Sequence, residues 1–345
     1  MTRRVLIVRL DNDGDVLLAG PAVRAVAAQA EVTLLCGPRG RQAAQLLPGV
    51  REVLRFRAPW IDPEPQPVER GAMLAVVDEL AARGFDEAVV LTSFHQSALP
   101  TALLLRMAGV PVVAAISEDY PGSLLDVRHH VPDGVHEVER GLSLVSTLGY
   151  RLPDGDDGRL AVRRRAASAP LPFAAPYVVV HPTASVPARA WPVERNAELV
   201  ALLAAEGWNV AVTGTAADAG TTAVVAGPPR EQVRDLTGAT DFAGLADVIA
   251  GASVVVVGNT GPAHLAAAVG TPVVSLFAPT VPAAAWAPYG VPVALLGVQD
   301  IACGGCRARV CPVPGHPCLS AVTAQEAAAA VRRLAGRPAA LAVPG

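Results

Sequence analysis

Apolar residues in this chain fall into short unbroken runs, separated by longer stretches in which small and apolar residues recur at helical spacing. Val5 to Val8, Val32 to Leu35, Val53 to Phe56, Ala88 to Thr92 and Val112 to Ile116 are such runs. Helices are predicted near 71–83 and 98–108, and an Ala-rich one follows the turn-like DNDGD at 11–15 and ends near Ala30. Runs without alternation suit strands buried on both faces, so the pattern predicts a mostly parallel sheet covered by helices. Pro21 lacks an amide proton and should interrupt the first helix or begin its main part. The segment 57–70, rich in proline and charge, reads as a surface loop.

The same alternation then starts again. Tyr177 to Val180, Val210 to Val212, Ser253 to Val257 and Val273 to Phe277 read as strands, with helices over 193–205, 243–250 and 262–269. An Ala-rich helix at 323–335 closes the series. Periodicity leaves open whether it packs on the second half or back on the first. Between the halves, residues 150–176 concentrate charge and proline: DGDDG, the basic RRR at 163–165, Pro170, Pro172 and Pro176. A chain of 345 residues is long for one hydrophobic core. The expectation is an α/β protein of two domains, 1–165 and 177–345, joined by a linker at 166–176. Ligands of such open sheets bind at the carboxyl ends of the strands, so the two domains are expected to face each other across a central cleft.

Composition narrows the classes of partner. With 52% hydrophobic residues the chain is not globally disordered. Twenty-eight Lys and Arg against 31 Asp and Glu leave a net charge of -3, which gives no overall field for nucleic acid or an anionic membrane. An anionic ligand must therefore be held locally. No apolar run is long enough to span a bilayer, and a strand-like run follows Arg3 and Arg4 directly. The expected location is the cytoplasm, with peripheral attachment to the inner face of the membrane left open, as is the oligomeric state.

The clearest local signal for an anion is SVVVVGNTGPAHLAAAVGTPVVSLF at 253–277. A buried strand ends at Gly258, Asn259 and Thr260 are turn or cap residues, and Pro262 suits the first turn of a helix. Free amides after Thr260 can receive phosphate, with Thr260 and His264 as added donors. A helix end alone supplies only ~0.3–1 kcal/mol, so those additional donors matter. The competing reading is a plain helix cap with a structural histidine. A second candidate is HPTASVPARAWP at 181–192, where His181 and Thr183 end a strand and Arg189 offers a charged fork on a proline-bounded loop. Trp191 beside it reads as packing. In VTGTAAD at 212–218, Gly214 ends a strand and Asp218 is either a ribose acceptor or a solvated cap. DNDGD is not a calcium loop, because Val16 stands where glycine is required at the sixth position. Asp15 is instead a candidate general base for an attacking hydroxyl, while Asp11 and Asp13 read as turn residues.

Taken in order, VLIVRLDNDGDVLLAGPAVRAV at 5–26, HPTASVPARAWP, VTGTAAD and VVVVGNTGPAHLAAAVGTPVVSLFAPT at 254–280 resemble the ADP-heptose:lipopolysaccharide heptosyltransferase family, glycosyltransferase family 9. The resemblance covers nearly the whole chain. It implies the GT-B fold of two Rossmann-like domains, with the acceptor on the first and the nucleotide sugar on the second. It also implies inverting transfer of heptose from ADP-heptose to a saccharide hydroxyl, in lipopolysaccharide core or another glycoside. Asp15 maps to the catalytic base, Arg189 to the residue on the donor phosphates, and Thr260, Gly261 and His264 to the surroundings of the diphosphate. Asn259 stands where aspartate is common, Asp218 where glutamate is common and Thr183 where many relatives have glycine. Rival functions are a sugar-nucleotide epimerase or hydrolase and a noncatalytic nucleotide-sugar-binding protein.

Five cysteines remain to be placed. Cys36 stands alone, whereas Cys303, Cys306, Cys311 and Cys318 lie within CGGCRARVCPVPGHPC at 303–318. Four thiols so close read first as reduced thiols or a disulfide, with a structural zinc or iron–sulfur centre, His316 being an alternative ligand, and a redox-active role as the other readings. The catalytic scheme implied by the resemblance requires no cofactor.

Overall fold

The computed structural model describes residues 2–164, 172–174 and 176–335. They form two compact units that meet in sequence between Arg163 and Arg164. These adjacent arginines are anchored differently. Arg163 donates through its amide to the Leu46 carbonyl at 2.7 Å, whereas Arg164 is paired with Asp247 at 3.1 Å. Most of the linker expected at 166–176 lies outside the described residues.

The first unit holds six strands: β1 (Arg4–Arg9), β2 (Glu31–Cys36), β3 (Val50–Arg55), β4 (Glu87–Val90), β5 (Val112–Ile116) and β6 (Val127–His129). Their order is β3-β2-β1-β4-β5-β6 and every pairing is parallel. Because successive side chains point to opposite faces, β1 must find cover twice. Leu6 and Val8 pack in one cluster with Val77 and Leu80 of helix Arg70–Arg83 and Leu105 of helix Leu99–Met107. Val5 and Ile7 are equally buried on the opposite side, where helices Gly20–Ala27 and Glu137–Ser146 pack against each other. This two-sided cover is why the apolar runs show no alternation.

The second unit repeats the plan with β7 (Tyr177–His181), β8 (Asn209–Val212), β9 (Val233–Asp235), β10 (Val254–Gly258), β11 (Val273–Leu276) and β12 (Val293–Leu296). Its order, β12-β11-β10-β7-β8-β9, is the same arrangement counted from β7, again wholly parallel. Val178, Val180, Val254 and Val256 form one core with Leu199 and Leu203 of helix Val193–Ala205 and with Ala327, Ala328 and Val331 of helix Ala324–Ala335. The last described helix therefore packs on the second unit, and Arg332 pairs there with Glu206 at 2.6 Å. Trp191 belongs to this core and donates its ring N–H to the Val322 carbonyl.

The start of the chain differs from the expectation. DNDGD is not a free turn, because a short helix, Asp13–Leu18, begins inside it with Asn12 at its N-cap. A second helix, Gly20–Ala27, follows after a break at Ala19, with Pro21 in its first turn, where a missing amide proton costs nothing. In each sheet the strand order reverses beside the first strand: between β1 and β4, and between β7 and β10. The carboxyl ends of strands at such a reversal are where open α/β sheets hold ligands.

Candidate functional site

At the reversal in the first unit, β1 ends on Arg9, which is buried. Its guanidinium meets three carboxylates: Nε lies 3.0 Å from Asp11, Nη2 3.2 Å from Asp15 and Nη1 3.4 Å from Glu137. Nη2 also donates to the Ser93 hydroxyl at 2.9 Å. Arg140 sits on the other oxygen of Glu137 at 3.2 Å, and Gln96 donates to Asp11. Burial opposes the charge on Arg9, but the three carboxylates outweigh it and hold the guanidinium protonated. Burial also pushes the Asp11 and Glu137 carboxyls upward, against the pull of Arg9. Removing one partner from a buried ion pair costs ~3–5 kcal/mol, so this cluster holds together only as a whole.

Within that cluster Asp15 is the accessible member. Its side chain is 18% exposed, against 9% for Asp11 and 2% for Glu137. Oδ1 faces Arg9, and Oδ2 accepts the Asn12 amide at 3.4 Å. Asp13 has a structural task, accepting the Ala43 amide at 2.9 Å. Asp11, read from the sequence as a turn residue, lies in the bend after β1 and is also a half-buried partner of Arg9. Gly37 and Gly40 make this packing possible: a Cβ on Gly37 would stand 2.2 Å from the Leu10 carbonyl, and one on Gly40 would stand 2.6 Å from Val16.

The reversal in the second unit carries a different set of groups. β7 ends on buried His181, whose Nδ1 is 3.0 Å from the Thr213 hydroxyl. Burial lowers its pKa to about 4, only partly opposed by Asp218, so the ring is neutral at neutral pH. β10 ends on Gly258, which lets a neighbouring turn close over it: a Cβ there would stand 2.6 Å from the Arg189 carbonyl. Arg189 ends that turn, Pro187–Arg189, and its Nε donates to Thr280 at 3.3 Å.

After Gly258 the chain enters helix Gly261–Ala268 through extended Thr260. Thr260 holds the N-cap position, yet its hydroxyl makes no cap bond, and the oxygen is buried with no partner. Fewer amides are available than the motif suggests. Pro262 has none and the Ala263 amide bonds the Thr260 carbonyl, which leaves Gly261 as the backbone donor among the first three helical residues. His264 is buried in the second turn of this helix's start. Asn259 is turned elsewhere. Its Nδ2 donates to the Ala278 carbonyl at 3.2 Å and its Oδ1 accepts the Ala278 amide at 3.3 Å. An aspartate could not make the first of these bonds while ionised.

Gly214 lies two residues beyond the end of β8, and Asp218 folds back over it. One Asp218 oxygen accepts both the amide and the hydroxyl of Thr215, at 2.7 and 2.6 Å, so its capping role is realised. A Cβ on Gly214 would crowd Thr222 at 2.9 Å. Thr183, half-buried, follows β7.

The cysteine segment is joined to the same turns. The Gly305 amide bonds the Pro279 carbonyl, the Arg307 amide bonds the Thr280 carbonyl, and the Ala188 amide bonds the Arg309 carbonyl. His316 Nε2 lies 3.1 Å from the Ala188 carbonyl. Cys303, Cys306, Cys311 and Cys318 line a small cavity with His316 and Thr280, and all four thiols are free. Among the described residues no group of three or more His, Cys, Asp or Glu side chains is arranged to hold a metal ion. Cys306 is exposed while Cys318 is buried in helix Pro317–Ser320, and the segment braces the Arg189 and Thr280 turns through its backbone.

Sequence reasoning missed Arg9, Ser93, Gln96, Glu137 and Thr280. A charged residue closing the apolar run VLIVR was a usable signal for Arg9, since a strand end buried on both faces rarely carries one. Glu137 gave no local signal, because its partner lies 128 residues away in sequence.

Residues 73–316 match the family model for glycosyltransferase family 9 (heptosyltransferase). The chain belongs to this family. Among curated relatives, lipopolysaccharide heptosyltransferase 1 of Pseudomonas aeruginosa is 34% identical over 235 residues, 63% of this chain and 61% of that protein. The chain thus spans about three fifths of the length of this family 9 relative. Two solved structures share the fold. A family 9 glycosyl transferase from Veillonella parvula has a TM-score of 0.80 at 18% identity, covering 96% of this chain and 97% of its own. E. coli ADP-heptose lps heptosyltransferase II has a TM-score of 0.72 at 22% identity, covering 96% and 98%. The architecture is the two-domain GT-B type, with a Rossmann-like sheet in each unit.

Proposed function

We propose that the chain is an inverting glycosyltransferase that moves heptose from ADP-heptose to a hydroxyl of a saccharide acceptor, in lipopolysaccharide core or another glycoside. Family membership and the activities named for its relatives support the reaction class. The observation that carries it is the accessible Asp15 carboxylate in an otherwise buried ion cluster at the reversal of the first sheet.

In this reading Asp15 accepts the proton of the acceptor hydroxyl as that oxygen bonds to the anomeric carbon. The bond from that carbon to the diphosphate breaks on the opposite face, and ADP departs with the electron pair. Arg189, the Gly261 amide, the Thr260 hydroxyl and His264 meet the charge growing on the diphosphate, and Asp218 with Gly214 and Thr183 borders the nucleoside. Asn259 acts one step removed, by fixing the Ala278 backbone. The cytoplasm is the proposed location, at the inner face of the membrane if the acceptor is lipid-linked. No helix among the described residues is long and apolar enough to cross a membrane.

The test is to incubate ADP-heptose with a panel of inner-core lipopolysaccharide saccharides and unrelated glycosides, following ADP release and determining the new linkage by NMR. Transfer with inverted anomeric configuration is expected. Conversion of the donor that never joins it to any acceptor would instead favour an epimerase or hydrolase.

A further inference from the structure

Arg9 is more than a neighbour of Asp15. Its guanidinium donates hydrogen bonds to three separate pieces of chain, Asp15 on helix Asp13–Leu18, Ser93 in the loop after β4 and Glu137 on helix Glu137–Ser146, and is ion-paired with a fourth, Asp11 in the loop after β1. The planar fork of an arginine can serve these directions at once, and the single nitrogen of a lysine cannot. We infer that Arg9 is a positioning residue for the transfer step, aiming the Asp15 carboxylate, with Ser93 and Glu137 holding Arg9 in turn. This inference rests on the reading of Asp15 as the base.

Two features separate this role from a simple structural ion pair. The first is charge balance. Asp11, Asp15 and Glu137 are answered by Arg9 and, on the outer side of Glu137, by Arg140. Three carboxyl groups share two guanidinium groups, and burial pushes Asp11 and Glu137 upward while Asp15 keeps contact with solvent, an arrangement stability alone does not favour. Among the described residues His95 also acts on this cluster, through Asp11. The second is the hold on Asp15 itself. Its two oxygens are fixed by Arg9 at 3.2 Å and by the Asn12 amide at 3.4 Å, both at the long end for hydrogen bonds. Loosening Arg9 therefore frees the carboxylate to rotate away. A base misplaced by about 1 Å can cost on the order of 100-fold in rate.

The experiment compares Arg9→Lys, Ser93→Ala and Asp15→Asn with the parent enzyme. ADP release from ADP-heptose is followed with the best acceptor of the panel and with water alone, and ADP affinity is measured by calorimetry. Arg9→Lys should lower kcat roughly 100-fold and leave ADP affinity within twofold, a split that a merely structural loss would not give. Ser93→Ala keeps every charge and the fold, and should lower kcat severalfold with ADP affinity unchanged. It decides the matter if Arg9→Lys fails to fold. Normal kcat in these variants, beside an inactive Asp15→Asn, would overturn the role of Arg9 alone. A folded Asp15→Asn enzyme with near-normal turnover would remove the base, and the role of Arg9 with it.

Discussion

The two units are the same fold with opposite polar groups at their strand ends. Each sheet reverses its strand order beside its first strand, and each gathers its polar groups at the carboxyl ends there. The first unit places carboxylates around a buried arginine: Asp11, Asp15 and Glu137 about Arg9. The second places Thr260, the Gly261 amide, a neutral His181 and the Arg189 turn, with no comparable carboxylate cluster among the groups described at that edge. The first edge suits removal of a proton, and the second suits an anion. Topology fixes where the ligand groups stand, and the residues at the strand ends decide what they do.

Three substitutions would break or sharpen that contrast. The largest effect is expected from Arg189→Ala, which removes the cation of the second edge. Hydrogen bonds to charged groups contribute ~1.5–3 kcal/mol, so ADP should bind roughly 10- to 100-fold more weakly by calorimetry, with little change in melting temperature. Unchanged ADP affinity would move the phosphate site elsewhere.

Asn259→Asp would give the second edge a buried carboxylate like those of the first. It would face the Ala278 carbonyl with no proton to donate, at a cost of ~1–3 kcal/mol near neutral pH. A protonated aspartic acid restores a donor, so the loss in stability against urea should be smaller at pH 5 than at pH 8. A loss independent of pH would point to packing instead.

The smallest effect is expected from Asp13→Asn, which makes the first edge less acidic. Burial pushes the Asp13 carboxyl up to about 6, well above the ordinary aspartate range. The folded chain therefore takes up a proton at a pH where the unfolded chain has not, and the ionised group costs stability above pH 6. That cost fades as the pH falls toward 4. The amide still accepts the Ala43 amide proton, so the variant should gain on the order of 1 kcal/mol at pH 7.5, allowing for partial exposure, and almost nothing at pH 4. A gain of equal size at both pH values would contradict this origin.

Much of the fold was legible because burial on both faces leaves a strong mark. Helix Val193–Ala205 and strand β5 fall where their apolar patterns place them. Strands β6 and β9, reading VRH and VRD, were not found, because short edge strands carry polar residues and lack the buried pattern. Helix Glu137–Ser146 escaped for a related reason: Gly141 interrupts a sequence of mixed polarity, and His136 supplies its cap. Asp15, Arg189, Thr260 and His264 stand next to strand ends, where their local motifs place them. What was not readable is long-range pairing. Arg9 with Ser93 and Glu137, and Arg189 with Thr280, join residues that share an edge only after the sheet has formed. Nor could spacing show that Asn259 serves the Ala278 backbone, or that the cysteine segment braces the Arg189 turn.

The most direct test of the division between the two edges is Asp15→Ala, measured for turnover at saturating ADP-heptose and for ADP affinity in the same preparation. Loss of a general base should lower kcat by roughly 100- to 10,000-fold while ADP binds within twofold of the parent. Near-normal turnover with intact ADP binding would contradict the account, because the proton would then leave by a route that does not involve the first edge.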